Sequence, residues 1–287
     1  PAHAEARKMH LSTAREVVCR GGNRCLPLTE RVLMANGLWY PLGGIQRGDM
    51  VMAVDPMTGT AEASRVVAVH RSGEKPVYRI EFSDGGSVRL TPEHRLPMYA
   101  RSGKRSRRGK PLVPRVRAIG PYLGGLAARS VGKRLAAISP SDVRCLDSGA
   151  PAIHPYLWGV LLGDGGLTTG QVRWTATHEG MVARIESLLW PMGLMLRQDT
   201  HQAYRVVMMH PRKGGHSLRA LLEHGGVMGC GSHDKSIPQS AMGWSRKDRI
   251  ELLAGLIDTD GSADGYASVS RALAEGFCSL MRSIGGK

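Results

Sequence analysis

The sequence lacks any apolar run approaching the roughly 20 residues that a membrane-spanning helix needs. Because residues 1–8 are polar, we expect no signal peptide, and we expect a cytoplasmic protein without membrane association. Only five cysteines occur in 287 residues; they are widely spaced and include no Cys-x-x-Cys pair. This spacing argues against a disulfide framework or a structural zinc site and favours a reducing compartment.

Acidic residues are also scarce: 24 Asp and Glu stand against 39 Lys and Arg, a formal net charge of +15. Neutralising phosphates with Lys and Arg releases condensed counterions, so a surplus of this size indicates nucleic acid as a partner. The alternative is that the charge serves solubility alone. The chain is long enough for two ordinary domains, each with a sizeable core.

The beginning of the chain contains an unfinished phosphate-binding motif. Helix formers (residues 2–14) and a short β-like run (residues 16–20) precede Gly21-Gly22-Asn23-Arg24. In the pattern G-x-x-x-x-G-K-[ST], Gly21 fits the first glycine and the next three residues fill variable places, but no Gly-Lys follows. An arbitrary glycine-rich loop is the alternative. The chain starts without Met and ends at Lys287, so we expect a fragment of a longer reading frame.

From Cys25 to about residue 100 the sequence predicts a compact all-β unit. Residues 50–54, 65–69 and 77–82 have strand character, and turn signals such as Asn36-Gly37 separate the strands. No helix of useful length fits this pattern, so we expect the unit to be built from short strands and turns.

The residues that open and close this β unit resemble the N-terminal blocks of an intein, whose splicing domain has the horseshoe-like, all-β Hint fold. The matching positions are Cys25, the turn Gly48-Asp49, and Thr91-Pro92-Glu93-His94. The resemblance implies that Cys25 attacks the carbonyl of Arg24 and converts the peptide bond into a thioester. His94 would hydrogen-bond or protonate the leaving nitrogen, and Thr91 would position the bond. A core-filling cysteine and a turn followed by a surface histidine are the alternatives.

The segment after this unit is strongly basic. Residues 101–117 hold eight Lys or Arg and no acid, and Gly and Pro interrupt them. We interpret residues 101–150 as a basic linker or a DNA-facing segment, with a solvated basic loop as the alternative.

Two helical stretches within residues 151–287 end alike, which indicates an internal repeat. They cover residues 155–165 and 249–261. At an offset of 96 residues they share Leu157/Leu253, Gly159/Gly255, Asp164/Asp260 and Gly165/Gly261. Strand-like residues (171–174 and 204–209) and amphipathic helices (181–190 and 217–223) lie between them. The small residue in each helix predicts close approach of the two helices, and therefore an interface between two pseudo-symmetric lobes.

The second stretch, LLAGLIDTDG, is one residue from the signature of LAGLIDADG homing endonucleases, and Lys235-Ser236-Ile237-Pro238 resembles their K-x-I-P block. The resemblance implies an α+β domain in which Asp164 and Asp260 bind Mg²⁺ and support phosphodiester hydrolysis, with Lys235 as a basic helper. The alternatives are that each aspartate merely caps a turn before glycine, and that Lys235 is a solvated surface lysine.

Together the two resemblances predict a mixed fold with an all-β splicing domain and an α+β endonuclease domain of two pseudo-symmetric lobes. We expect a host fragment (1–24), the N-terminal part of a Hint domain (25–100), the basic segment (101–150) and the endonuclease (151–287) with an incomplete second lobe. The expected partners are double-stranded DNA at the uninterrupted host gene and the flanking host sequences, and the chain is expected to be a monomer. The His-Asn pair that ends inteins does not follow Asp260, so we expect the chain to start splicing without completing it.

The interrupted motif also predicts the host protein. If the sequence after the insert began with x-Gly-Lys-[Thr/Ser], the joined loop would cradle nucleotide phosphates with Gly21, Gly22, Asn23 and Arg24. Residues 12–24 resemble the ATPase start of a phage terminase large subunit. Two rival interpretations remain open: a free-standing homing endonuclease with a vestigial splicing domain, and a DNA-binding module whose chemistry has decayed.

Overall fold

The computed structural model describes residues 26–70, 73–82, 86–101, 112–127, 136–137, 140, 142–146, 149–176, 179–210, 217–262 and 265–286. The chain divides into two compact units after Leu146, and each unit is described by itself. The predicted host residues Gly21-Gly22-Asn23-Arg24 and the predicted nucleophile Cys25 lie outside the described residues.

The first unit consists mainly of short antiparallel strands in several small sheets. Its strands are β1 (Arg31–Leu33), β2 (Trp39–Pro41), β3 (Met50–Val54), β4 (Thr60–Arg65), β5 (Tyr78–Glu81), β6 (Ser87–Leu90), β7 (Arg95–Arg101), β8 (Leu112–Ala118), β9 (Ala136–Ala137) and β10 (Asp142–Arg144). The sheet orders are β1-β2, β10-β4-β3, β5-β6 and β8-β7-β9, and β10 joins β4 in parallel. A helix, α1 (Gly120–Ala127), follows β8.

Turn chemistry sets the register of the β3–β4 hairpin. The Asp55 carbonyl accepts the N–H of Gly59 at 2.8 Å, and Gly59 has a left-handed φ of 74° that suits glycine. Pairing therefore begins directly after this turn and ends with Met50 opposite Arg65. The strand predicted over residues 65–69 is wrong, because the partner strand ends at the Gly48-Asp49 turn. The strands predicted over residues 50–54 and 77–82 are confirmed.

The described residues of the strongly basic stretch 101–117 lie in two paired strands, Arg101 in β7 and residues 112–117 in β8. β7 and β8 pair from Arg95 opposite Ala118 to Arg101 opposite Leu112, and β9 and β10 join sheets of the same unit. The described part of residues 101–150 therefore contains strands and a helix of the first unit, and contact with DNA stays a prediction. β7 buries Met98 and the residue after β8, Ile119, is buried as well. Apolar side chains near the basic residues are therefore buried by the strand pairing. The net charge of the segment alone does not predict this burial.

The second unit combines helices with a four-stranded antiparallel sheet of order β11-β12-β14-β13. Its elements are α2 (Pro155–Gly163), β11 (Gly165–Gly166), β12 (Arg173–Thr175), α3 (Glu179–Leu189), β13 (Leu194–Gln198), β14 (Ala203–Met208), α4 (Ser217–His224), α5 (Arg246–Asp260), β15 (Gly261–Ser262), β16 (Gly265–Tyr266) and α6 (Arg271–Ser283). β15 and β16 form a separate two-stranded hairpin.

Side-chain periodicity explains most of this unit. α3 buries Met181, Ile185 and Leu189, which are spaced four residues apart and so share one helix face. α2 is buried along its whole length from Pro155 to Leu162, and its main packing partner is α5. Each fully buried aliphatic side chain of this kind contributes about 1.5–3 kcal/mol to stability.

The mixed fold class is confirmed at the level of helices combined with several small sheets. The helices predicted over residues 181–190 and 217–223 are confirmed as α3 and α4. β13 is a strand that the prediction missed, although buried Leu194 and Leu196 flank exposed Met195 in the alternation typical of a strand. Within the described ranges, no helix has the length and apolar character needed to cross a membrane.

Candidate functional site

α2 and α5 approach closely through one glycine of each helix. A Cβ atom on Gly159 would meet the carbonyl oxygen of Leu252 and lie 2.8 Å from the Gly255 Cα. A Cβ atom on Gly255 would meet the carbonyl oxygen of Tyr156 and lie 3.0 Å from the Gly159 Cα. Because Tyr156 and Leu252 are themselves equivalent in the repeat, the contacts are reciprocal, as a local twofold relation requires. A larger residue at either glycine would separate the helices.

The two predicted metal ligands lie at matching ends of these helices. The N–H of Asp164 donates to the Val160 carbonyl at 3.1 Å and closes α2, and Asp260 is the last residue of α5. Both carboxyls are half-buried. Burial raises the pKa of both, and the charge of Asp164 raises the pKa of Asp260 further. The fold therefore brings these two aspartates into electrostatic contact.

Lys235 lies beside the two aspartates and is only 4% exposed. Its Nζ donates to three carbonyl oxygens at the end of α2, those of Leu161 (3.2 Å), Gly163 (2.8 Å) and Gly165 (2.8 Å). A helix C-terminus carries unpaired carbonyls and partial negative charge, which a cation stabilises. Burial lowers the pKa of Lys235, and the charges of Asp260 and Asp164 oppose that shift. The alternative of a solvated surface lysine is therefore wrong.

The donor set formed by Asp164 and Asp260 suits Mg²⁺, which prefers oxygen ligands and keeps several waters. The charge of Asp164 disfavours ionisation of Asp260, and a divalent cation held by both carboxylates would offset that repulsion. In the part of the chain that the structure describes, no cluster of three or more His, Cys, Asp and Glu side chains is present. Two carboxylates with water and phosphate oxygens match the Mg²⁺ preference better than a protein-only cage.

A polar network braces the helix pair near this site. The hydroxyl of Tyr156 in α2 donates to the Asp258 carboxylate in α5 at 2.7 Å. The Arg184 guanidinium of α3 lies 3.5 Å from the centre of the Tyr156 ring and pairs with Glu251 of α5 at 2.6 Å. Burial, followed by the hydrogen bond to Asp258, raises the pKa of Tyr156 to about 12. Sequence reasoning missed these residues because their partners lie far apart along the chain.

Three arginines lie side by side on the sheet of the second unit. The strand register sets Arg205 of β14 directly opposite Arg173 of β12 on one side and Arg197 of β13 on the other. Asp199 forms an ion pair with Arg205 at 3.0 Å. Like charges directly opposite destabilise a sheet, so this arginine row is suited to an anionic partner. Sequence reasoning missed it because only the strand register brings the three residues together.

In the first unit, Thr91 and His94 lie in one tight, buried turn. The N–H of His94 donates to the Thr91 carbonyl at 3.0 Å, and the N–H of Gly120 at the start of α1 donates to the Pro92 carbonyl at 2.7 Å. Thr91 is 1% exposed and His94 is 7% exposed. The alternative of a surface histidine is therefore wrong. The predicted partner of this turn, Cys25, lies outside the described residues.

The His94 imidazole is buried, which favours its neutral form and leaves one ring nitrogen without a hydrogen-bond partner among the described residues. Burial lowers its pKa, and its Nδ1 is buried without a hydrogen-bond partner among the described residues. A neutral imidazole has one donor and one acceptor nitrogen, so it can both hydrogen-bond a reacting group and transfer a proton. A buried polar atom without a partner costs stability, which indicates a role in binding or chemistry.

No protein-family model matches the chain. The chain is 27% identical over 243 residues to the Replicative DNA helicase DnaB of Mycobacterium intracellulare. The alignment covers 80% of this chain and 36% of the helicase, so the chain spans about a third of the curated relative it matches.

Proposed function

We propose that this chain is an intein that carries a LAGLIDADG-type homing endonuclease. The observation that carries the proposal is the reciprocal contact between Gly159 and Gly255, since it brings Asp164 and Asp260 into electrostatic contact at matching helix ends. A repeat that served packing alone would not need an acid at the C-terminal end of each helix, where the two charges oppose each other. The arrangement supports a paired-carboxylate site for DNA cleavage.

In the proposed endonuclease, Asp164 and Asp260 would hold Mg²⁺, which when bound would activate water and stabilise the leaving oxygen in phosphodiester hydrolysis. The residues of the chain position these two ligands. Gly159 and Gly255 set the distance between the helices, and Lys235 fixes the backbone on both sides of Asp164. The charge of Lys235 also balances one of the two carboxylates.

Double-stranded DNA is the proposed substrate of this unit. The net charge of +15 and the row of Arg173, Arg205 and Arg197 support a phosphate-binding face. Phosphate contacts of this kind position the duplex without reading its sequence. Binding should therefore weaken steeply as salt is added.

The proposed splicing reaction rests on the buried turn of the first unit. Cys25 would attack the Arg24 carbonyl carbon; the carbon–nitrogen bond breaks, the acyl group moves to sulfur, and the nitrogen leaves as the amine of Cys25. His94, whose pKa is lowered and whose buried Nδ1 has no hydrogen-bond partner among the described residues, would hydrogen-bond that nitrogen and supply a proton. Thr91, buried in the same turn, would hold the bond in place.

The host of the proposed intein is an ATPase whose phosphate-binding loop is interrupted after Arg24. Since the alignment to the helicase covers 80% of the chain and residues 1–24 make up less than a tenth of it, most aligned residues follow the proposed splice junction. We therefore attribute the similarity to the insert rather than to the host residues. A replicative DNA helicase is a second candidate host beside the terminase. Sequencing beyond Lys287 tests this, because a continuation without Gly-Lys-[Ser/Thr] at the splice point would reject an interrupted phosphate loop.

The endonuclease proposal is tested with Asp164→Asn and Asp260→Asn in the full chain. Both variants should lose Mg²⁺-dependent cleavage of the uninterrupted host gene and still bind it, as measured by fluorescence anisotropy. Asp248→Asn is the matched control, because Asp248 lies at the other end of α5 and can still accept from Ser245 as an amide. Full-rate cutting by either site variant would reject the pair. Tight binding without cutting by the unaltered chain would instead favour the decayed DNA-binding module.

The splicing proposal is tested with Cys25→Ala in a precursor that has host sequence on both sides. The unaltered precursor should yield ligated host, or a hydroxylamine-sensitive thioester, and Cys25→Ala should yield neither. Equal yields from the two precursors would reject splicing at Cys25. Cleavage of DNA without any thioester would favour the free-standing endonuclease with a vestigial splicing domain.

A further inference from the structure

A buried hydrogen bond connects the start of α6 with the main chain of Lys235. Ser270 is fully buried, and its hydroxyl donates to the Lys235 carbonyl oxygen at 2.6 Å. The same Oγ accepts the N–H of Leu273 at 3.2 Å and so caps α6. Helix capping needs only an acceptor, so the donated bond to Lys235 is a second and separate function of the hydroxyl.

A second contact holds the same loop against α6. A Cβ atom on Gly276 would lie 3.1 Å from the Cδ1 of Ile237, two residues after Lys235. The loop therefore packs on α6 at two points, one polar through Ser270 and one apolar through Gly276. This packing fixes the direction in which the Lys235 side chain leaves its backbone.

The Lys235 side chain extends the connection to Asp164. Its ammonium group has three protons, and the three carbonyls at the end of α2 accept them. Two of those carbonyls belong to Gly163 and Gly165, the residues on either side of Asp164. With its protons engaged in this way, Lys235 serves to hold backbone in place rather than to exchange protons.

We propose that Ser270 is a positioning residue of the endonuclease site, which holds the Lys235 main chain so that the ammonium group fixes the backbone around Asp164. The proposal rests on the proposed function, because it takes Asp164 and Asp260 as the metal ligands. Ser270 itself touches neither carboxylate; it acts through Lys235. The consequence is that docking of α6, an element of the second repeat, sets the geometry of a carboxylate in the first repeat.

The test compares Ser270→Gly, Ser270→Ala and Ser270→Thr in the full chain. Glycine is nearly as good as serine at a helix N-cap, so Ser270→Gly removes the bond to Lys235 with little loss of capping. Ser270→Thr retains a hydroxyl that can make both hydrogen bonds, and urea unfolding measures what its added methyl group costs at this buried position. Ser245→Gly is the matched control, because Ser245 caps α5 but its bonds, from the Asp248 N–H and to the Asp248 carboxylate, stay within that helix.

The decisive measurement is Mn²⁺ binding without DNA, followed by electron paramagnetic resonance of the free ion, beside urea unfolding of each variant. We expect Ser270→Gly to raise the Mn²⁺ Kd by about fivefold, the effect of one lost buried hydrogen bond. Ser270→Thr and Ser245→Gly should stay within about twofold of the unaltered chain, since neither disturbs the bond to Lys235.

An unchanged Mn²⁺ Kd in folded Ser270→Gly would overturn the proposal and leave Ser270 as a helix cap. Should Ser270→Ala fail to fold, the comparison of glycine with threonine still decides, because capping is retained in both. Failure of the unaltered chain to bind Mn²⁺ would overturn the metal site itself and this inference with it. Failure of the Ser270 proposal and failure of the proposed metal site therefore give different results.

Discussion

Gly163 and Thr259 occupy equivalent positions of the two repeats and face each other across the α2–α5 contact. A Cβ atom on Gly163 would lie 2.7 Å from the Thr259 Cβ and closer still to its hydroxyl oxygen. That hydroxyl turns back into its own helix, 3.1 Å from the Gly255 carbonyl and 3.0 Å from that of Leu256. The backbones of the repeats are thus equivalent here while the side chains are complementary, one absent where the other is present.

This relationship predicts that Gly163→Ala destabilises the second unit by about 1–3 kcal/mol, because the added methyl group overlaps Thr259 in a packed interface. Thr259→Ala should relieve the overlap only in part, since the two Cβ atoms would remain too close. Thr259→Gly should relieve the overlap fully, although the low helix propensity of glycine costs some stability of its own. Urea unfolding of the single and double variants measures the coupling.

Gly166→Ala is the control for that cycle. A Cβ atom there would meet the Arg173 Cβ at 3.4 Å, an ordinary contact, so the variant should lose little stability. Independent effects of Gly163→Ala and Thr259→Gly, without rescue in the double variant, would contradict the proposed complementarity.

The aspartate pair predicts how the stability of the metal-free chain depends on pH. The folded-state pKa of Asp260 lies above its ordinary value of 3.8, so the folded chain holds this proton more tightly than the unfolded chain does. The associated stability is complete below that ordinary value and is lost as pH rises through the folded-state pKa. Asp260→Asn should therefore stabilise the chain at neutral pH in EDTA, by about 1 kcal/mol or less because the group is half exposed.

Urea unfolding in EDTA at several pH values tests this prediction. The advantage of Asp260→Asn should vanish on acidification, and Mg²⁺ should stabilise the unaltered chain more than the variant. A variant less stable than the unaltered chain at neutral pH in EDTA would show that the two carboxyls do not repel each other.

The arginine row predicts a combined effect on DNA binding and stability. Arg197→Ala should weaken binding about equally for all sequences and reduce the slope of log K against log salt by about 1, the value for one phosphate contact. It should not destabilise the fold, because it removes a like charge opposite Arg205. Arg271→Ala is the control, since Arg271 is 91% exposed on α6 and pairs locally with Glu275. An unchanged salt slope in Arg197→Ala would exclude the row from the DNA interface.

His94 predicts a link between acid sensitivity and thioester formation. Burial lowers the pKa of His94 below the ordinary 6.5, so protonation opposes folding; the associated stability is complete above that ordinary value and is lost as pH falls from it through the lower folded-state pKa. His94→Leu should remove this component of acid unfolding and slow thioester formation by about 10²–10⁴-fold. Tryptophan fluorescence against pH and hydroxylamine trapping measure the two effects. Exposed His70 provides the control, because His70→Leu should change neither.

Local sequence patterns explain why parts of the fold were predictable. Met181, Ile185 and Leu189 repeat at the spacing of a helix face, and the Asp55–Gly59 turn requires specific residues at fixed places. Such signals lie within a few residues of one another, so they survive without tertiary context. The strand predicted over residues 65–69 was wrong for the converse reason: local β character was present, but pairing stops at Arg65 because its partner Met50 is the first residue of β3.

The sequence by itself determined that two similar helices end in an acid, with a glycine in each, and that a Thr-x-x-His motif lies in a β-rich unit. Only the tertiary structure decided that Gly159 and Gly255 meet, that Lys235 is buried against the end of α2, and that three arginines form a row. Spacing along the chain fixes which face of an element a side chain occupies, whereas the partner of that face is set by packing between distant segments. The proposed chemistry depends on both.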